Sequence, residues 1–201
     1  MESNRLEAFS DGVLAIIITI MVLELKVPQG DGWAALRPQL PVFLAYVLSF
    51  IYVGIYWNNH HHLFKACETV NGAILWANLH LMFWLSLFPF VTGWMGENHF
   101  TPLPTAAYGF VLSMAAFAYY LLGRAIVRQQ GPGSLIAKAL GAGWKEVVST
   151  ICYLVAIPLV LVRPWLSDLL FIFVAILWVV PDRRIEIALA AKATLADRKQ
   201  S

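Results

Sequence analysis

The composition of this 201-residue chain excludes an ordinary soluble domain. Hydrophobic residues make up 60% of it and charged residues only 13%, with a mean hydropathy of +0.69. Soluble domains carry about 25% charged residues, so the chain is predicted to be an integral membrane protein. A net charge of +2 says little about partners, and no nucleic-acid partner is expected. The two cysteines, Cys67 and Cys152, lie too far apart for a disulfide framework or a metal knuckle.

Apolar stretches divide the sequence into six predicted membrane spans. A transmembrane helix needs about 20 apolar residues, and the stretches near that length are 6–25, 38–57, 70–92, 105–127, 147–162 and 165–180. The last two are short and have only Arg163 and Pro164 between them, so a tight hairpin or one broken segment also fits. We therefore predict an all-α membrane protein with one six-span domain over 1–201, including a C-terminal tail over 181–201.

Basic residues predict the orientation of these spans, because Lys and Arg concentrate in cytoplasmic loops. If the N-terminus is cytoplasmic, only three of the 14 Lys and Arg residues lie outside, namely Lys26, Arg37 and Arg163. Six spans then return the chain to the cytoplasm. Both termini are predicted to be cytoplasmic.

The first span carries charge where a simple anchor would be apolar. Arg5, Glu7 and Asp11 occupy its first turns, before the apolar run from Gly12 to Leu23. Charge at membrane level is costly and usually faces protein or water. This helix is therefore predicted to line a path through the membrane, with the rest of the chain holding it in place.

One side of that helix has a graded chemistry. Steps of three and four residues place a cation, then a small residue, then bulky aliphatic residues on a single face. That face consists of Arg5, Phe9, Gly12, Ile16, Thr19, Ile20 and Leu23. Ordinary core packing has the same periodicity, so the sequence does not distinguish a pore face from a core face.

The predicted topology brings polar residues of three spans to one membrane level. Arg5, Ser10 and Asp11 begin the first span, Trp57 and His60 end the second, and Asn78 lies in the third. A buried Asp is tolerated when Arg, His or amide donors satisfy it. We predict a structural polar network of these residues, the alternative being a direct part in conduction.

Metal binding and catalysis find little support. In the run His60-His61-His62, adjacent helical side chains point about 100° apart and do not converge on one ion. The sequence contains no glycine-rich phosphate loop, nucleophile elbow or paired-carboxylate motif within a span. No structural metal, no cofactor and no enzymatic activity are expected.

The first ninety residues resemble the transmembrane protein 175 family of potassium channels. The resemblance rests on Arg5-x-x-x-Phe9-Ser10-Asp11 at the start of the first span. Two companion motifs follow: Trp57-x-x-His60-x-x-Leu63-Phe64 ends the second span, and Asn78-Leu79 with the later Pro89 marks the third. Beyond these motifs only span number and hydropathy agree.

This resemblance implies a six-span channel of a prokaryotic cell membrane, assembled as a homotetramer with four first spans around a central pore. Ile16, Ile20 and Leu23 would form the constriction, with the Thr19 hydroxyl close by and no carbonyl filter. Arg5, Phe9, Ser10, Asp11, Trp57, His60 and Asn78 would form the supporting network. The implied function is a potassium-preferring cation channel, with monovalent cations as permeant partners. Glu24, His61 and His62 match no position of the family pattern.

Two other classes of function stay open from the sequence. A secondary transporter, proton-coupled through Asp11 and His60, is the main alternative. Transporters characteristically show broken spans and inverted repeats, and neither is evident in the hydropathy of this chain. A non-conducting membrane scaffold or a membrane enzyme is the third reading.

Overall fold

The computed structural model describes residues 3–67, 69–131, 134, 137 and 144–179, which form helices and connecting turns without a strand. The predicted tail over 181–201 lies outside the described residues. The elements are α1 (Ser3–Leu23), α2 (Trp33–Leu36), a 3₁₀ turn (Arg37–Gln39), α3 (Leu40–Lys65), α4 (Gly72–Ser86), α5 (Phe88–Glu97), α6 (Pro102–Gln130), α7 (Trp144–Leu159) and α8 (Pro164–Val179).

Among the described residues, four helical segments are long and apolar enough to cross a membrane. They are Ser3–Leu23, Trp33–Lys65, Gly72–Glu97 and Pro102–Gln130. They correspond in order to the first four predicted spans, and each of the last three extends beyond its predicted end by several residues.

The fifth and sixth predicted spans form an antiparallel hairpin rather than one broken segment. α7 and α8 have 16 residues each, and their side chains pair at both ends of the hairpin. The Ser167 hydroxyl donates to the Ala156 carbonyl at 2.7 Å, and the Trp178 indole donates to Ser149 Oγ at 2.8 Å. At about 1.5 Å rise per residue, each helix is shorter than the hydrocarbon core.

The third predicted span is interrupted, which the hydropathy did not reveal. α4 ends at Ser86 and α5 begins at Phe88, with Leu87 between them. Pro89 explains the break, because proline has no N–H to donate to residue 85 and its ring crowds the preceding turn. The break is a single residue, so it does not unwind a stretch of backbone.

The core is built around α6 and α3. α6 packs against α4, α5, α7 and α8, while α3 packs against α1, α5 and α8. Polar side chains in this core bond to one another: Ser49 Oγ lies 2.7 Å from Thr92 Oγ1 and 3.0 Å from the Tyr108 hydroxyl. The Tyr52 hydroxyl donates to the Phe171 carbonyl at 2.7 Å. Such pairing is required where water does not reach.

α1 packs on one side only. It contacts α3, α4 and α5, and its buried residues recur at helical spacing along that side: Leu6, Ser10, Leu14, Ile17 and Met21. The opposite side of α1 meets no other described part of the chain.

Candidate functional site

The predicted pore face is the exposed side of α1. Ile16, Ile20 and Leu23 are 60%, 41% and 76% exposed, whereas their neighbours Ile17 and Met21 are 3% and 2% exposed. Ordinary core packing, the alternative explanation of the periodicity, therefore does not account for this face within the chain. Its bulky side chains are free to meet lipid, water or further copies of α1.

Thr19 adds an oxygen to this face. Its hydroxyl donates to the Ala15 carbonyl one turn earlier at 2.9 Å, and the side chain is exposed. Since the hydroxyl proton is used within the helix, the oxygen presents an acceptor between the Ile16 and Leu23 levels. The exposed face therefore offers aliphatic surface with one hydroxyl oxygen.

The N-terminal half of α1 is anchored by a buried chain of hydrogen bonds, here called the base network: Ser10, His60 and Asn78. Asn78 Nδ2 donates to Ser10 Oγ at 3.0 Å, and the Ser10 hydroxyl donates to the Leu6 carbonyl at 2.9 Å. His60 Nε2 lies 2.8 Å from Asn78 Oδ1. Because an amide oxygen only accepts, His60 donates through Nε2. The three side chains are 0–1% exposed and join α1, α3 and α4.

A second set of contacts runs along the flank of α1 and α3 and is here called the side ladder: Glu7, Asp11, Trp57 and His61. The Trp57 indole donates to Asp11 Oδ1 at 3.1 Å, and His61 Nδ1 lies 2.5 Å from Glu7 Oε1. The Trp57 and His61 rings stack with centroids 6.2 Å apart. The side ladder is a second set of contacts that holds α1 against α3.

Sequence reasoning missed the Glu7–His61 pair, although a signal for it exists. Glu7 and Asp11 are four residues apart on α1, and His61 and Trp57 are four apart on α3. Residues at that spacing lie on one helix face. Because α1 and α3 are antiparallel, the acceptors Glu7 and Asp11 on α1 can each face a partner on α3.

Arg5 and Phe9 do not join either set of contacts, contrary to the predicted network. Both are exposed, Phe9 by 49%, and Arg5 has no ion-pair or hydrogen-bond partner among the described residues. The reason is helical geometry: neighbouring positions point about 100° apart, and of Arg5, Phe9 and Ser10 only Ser10 faces the core. Asp11 is satisfied by Trp57 instead.

The three adjacent histidines take different directions. His60 contacts Asn78, and His61 contacts Glu7. In the part of the chain that the structure describes, no three His, Cys, Asp or Glu side chains are grouped closely enough to hold a metal ion. That His60–His62 binds no metal stays a prediction.

The C-terminal end of α1 is held differently. Lys26, just beyond the helix, forms an ion pair with Glu97 at the end of α5, with 2.5 Å between Nζ and Oε1. The hydrogen bond to this carboxylate raises the pKa of Lys26. Both side chains are more than half exposed, so the pair is a weak fastening compared with the buried base network.

Comparison with known proteins places these features in a family. The sequence profile described as endosomal/lysosomal potassium channel TMEM175 matches residues 5–89. A potassium channel of a Chryseobacterium species is 56% identical over 186 residues, covering 92% of this chain and 97% of that protein. The endosomal/lysosomal proton channel TMEM175 of Bos taurus is 43% identical over 76 residues, which are 32% of this chain and 16% of the bovine protein.

The fold agrees with the sequence match. The structure is similar to the crystal structure of a lysosomal potassium-selective channel TMEM175 homolog from Chamaesiphon minutus, with a TM-score of 0.75 and 27% identity over 90% of this chain and 98% of that one. The resemblance expected from the sequence is confirmed. The family consists of ion channels and not of enzymes, which also confirms the expectation that the protein is no enzyme. The chain therefore belongs to the TMEM175 family of ion channels.

Proposed function

We propose that this chain is one subunit of a potassium-preferring cation channel whose pore is lined by the exposed face of α1. The observation that carries the proposal is the contrast between Ile16 and Ile17, adjacent isoleucines that are 60% and 3% exposed. A helix packed on one side only, with Arg5 and Thr19 on its free side, is better suited to a pore than to lipid contact.

The proposed pore is surrounded by four copies of α1 in a homotetramer. In that arrangement Ile16, Ile20 and Leu23 each form a ring, with Thr19 between the rings. Residues 3–23 of α1 are continuously helical, so their backbone carbonyls are engaged in the helix and do not form a carbonyl filter. A permeating ion meets side chains.

Aliphatic rings favour potassium through hydration. A narrow apolar ring is a barrier because an ion must shed water to pass, and the ring gates by dewetting when it empties. Potassium sheds water at lower cost than sodium, so the barrier is lower for potassium. The rings supply no strong coordinating field, so the preference is modest. Glu24, directly beyond Leu23, would concentrate cations at the mouth.

The proposed roles of the remaining site residues are structural. Ser10, Asp11, Trp57, His60 and Asn78 hold the base of α1 so that the exposed face points at the pore axis, and Arg5 and Phe9 belong to the exposed face itself. The channel lies in a prokaryotic cell membrane with both termini in the cytoplasm. It needs no cofactor, structural metal or nucleic acid.

Single-channel recording tests this proposal. Purified protein in liposomes, with opposed potassium and sodium gradients, should show unitary currents. Their reversal potential should be shifted from zero toward the potassium equilibrium potential. Because the bovine relative is named a proton channel, the same bilayers are recorded with a pH gradient and no permeant metal cation. Protein-dependent ion flux without unitary currents would support the secondary transporter through Asp11 and His60 instead. In the structure these two residues bond to different partners, Asp11 to Trp57 and His60 to Asn78.

A further inference from the structure

A cavity of about 560 Å³ lies between α3, α6 and α7, and no α1 residue lines it. This volume is in the range of small-molecule sites, about 300–1,000 Å³. Its wall is mainly apolar, and Phe117, Ile151 and Leu154 in that wall are 50%, 56% and 62% exposed. In a membrane-spanning chain, an exposed apolar opening of this kind is accessible to lipid. The molecules that reach it from the membrane are lipids.

Three of the polar side chains that line the cavity already donate hydrogen bonds within the protein. The Tyr52 hydroxyl donates to the Phe171 carbonyl, and the Ser113 hydroxyl donates to the Gly109 carbonyl at 2.7 Å. The Trp178 indole donates to Ser149. These side chains present no unmet hydrogen-bonding demand to an occupant. The deep part therefore suits a hydrocarbon chain.

Two further polar side chains mark one end of the cavity. Asn59 is in the last two turns of α3 and Glu146 is in the first turn of α7, and both line the cavity. The Glu146 carboxylate has no ion-pair partner among the described residues. On α6, exposed Arg124 lies one turn beyond the cavity residue Tyr120, toward the same end. A carboxylate and a guanidinium at the rim match an ammonium and a phosphate.

We propose that this cavity binds a phospholipid with a primary-amine headgroup. One acyl chain occupies the space between α3, α6 and α7, the ammonium pairs with Glu146, and the phosphate pairs with Arg124. The orientation in the proposed function makes it a lipid of the cytoplasmic leaflet. The α7–α8 hairpin already packs against α3 through α8, and the lipid adds a contact between α7 and α3.

Native mass spectrometry of the delipidated full-length protein in detergent tests the site. The probes are dioleoyl phosphatidylethanolamine and dioleoyl phosphatidylglycerol, which share acyl chains and differ in headgroup. Wild type should retain the ethanolamine lipid in preference to the glycerol lipid. Ala116→Phe fills the cavity and should lose the bound lipid. Ala73→Phe, at an exposed position of α4 outside the cavity, is the matched control and should retain it.

Glu146→Gln keeps the shape of the cavity and should bind the two lipids equally well. Equal retention by wild type and Ala116→Phe would overturn the site, and no headgroup preference in wild type would overturn the role of Glu146. Because both lipids carry the phosphate, Arg124→Gln should weaken retention of both, and undiminished retention would overturn the role of Arg124. A neighbouring subunit over the cavity is a further contrary outcome, shown by an intersubunit cross-link from a photoreactive side chain placed at Val147 without lipid retention. Binding in detergent depends neither on conduction nor on orientation, so these results are independent of the proposed function.

Discussion

The two faces of α1 have nearly the same chemistry and opposite surroundings. Leu14, Ile17 and Met21 are 1–3% exposed, while Ile16, Ile20 and Leu23 are 41–76% exposed. Hydrophobicity does not separate the two sets, since both consist of large aliphatic or thioether side chains. What separates them is the position of α3, α4 and α5, which cover one face and leave the other free. The comparison suggests that one face specifies the fold and the other is available for assembly and permeation.

The buried face should dominate stability. Ile17→Ala removes a side chain that is 3% exposed, so it should lower the free energy of unfolding by about 2–5 kcal/mol through the cavity it leaves. Thermal unfolding in detergent, monitored by tryptophan fluorescence, measures the loss. Ile16→Ala is the matched control and should cost much less. Equal destabilisation by the two variants would remove the distinction between the faces.

The base network should rank next. Asn78→Leu keeps a side chain of similar size but leaves the His60 Nε2–H and the Ser10 Oγ acceptor without the amide. An unsatisfied buried polar group costs about 1–3 kcal/mol, and the oligomer should become less stable in detergent. Size exclusion with light scattering measures the oligomer. Asn59→Ala, whose amide bonds only its own helix at Ile55, should leave the oligomer intact.

Substitutions on the exposed face should change permeation rather than stability. Ile16→Ala and Leu23→Ala each widen a proposed ring and lower the dehydration barrier for every cation. Conductance should rise and the potassium preference should fall. Reversal potentials in mixed potassium and sodium measure the preference, with Ile17→Ala and Met21→Ala as controls that keep the wild-type value. Unchanged conductance and reversal potential in Ile16→Ala and Leu23→Ala would place the pore elsewhere.

The smallest effect is expected at the opposite end of α1. Lys26→Ala removes an ion pair that is largely exposed, and exposed pairs contribute little because water and salt screen them. The melting temperature at physiological salt should stay within error of wild type. A clear loss of stability would show that the C-terminal end of α1 is fastened as firmly as its base.

Much of the site followed from local spacing. The three- and four-residue steps from Arg5 to Leu23 placed seven residues on one face, because the period of a helix is independent of its neighbours. The meeting of Ser10, His60 and Asn78 followed from alternating span direction. The absence of Arg5 from the base network and the pairing of Glu7 with His61 did not follow from spacing. Both depend on how α1 is rotated about its axis relative to α3. The break at Leu87 was signalled by Pro89 but hidden by unbroken hydropathy.

By itself the sequence determined that this is a helical membrane protein, where its first spans lie and which family it joins. Those properties rest on local quantities: apolar length, helical period and short motifs. The tertiary structure alone decided which side of α1 is covered, that α7 and α8 fold back as a hairpin and that a cavity lies between α3, α6 and α7. These depend on the rotation and approach of packed helices, which arise from many small contacts between residues distant in the chain.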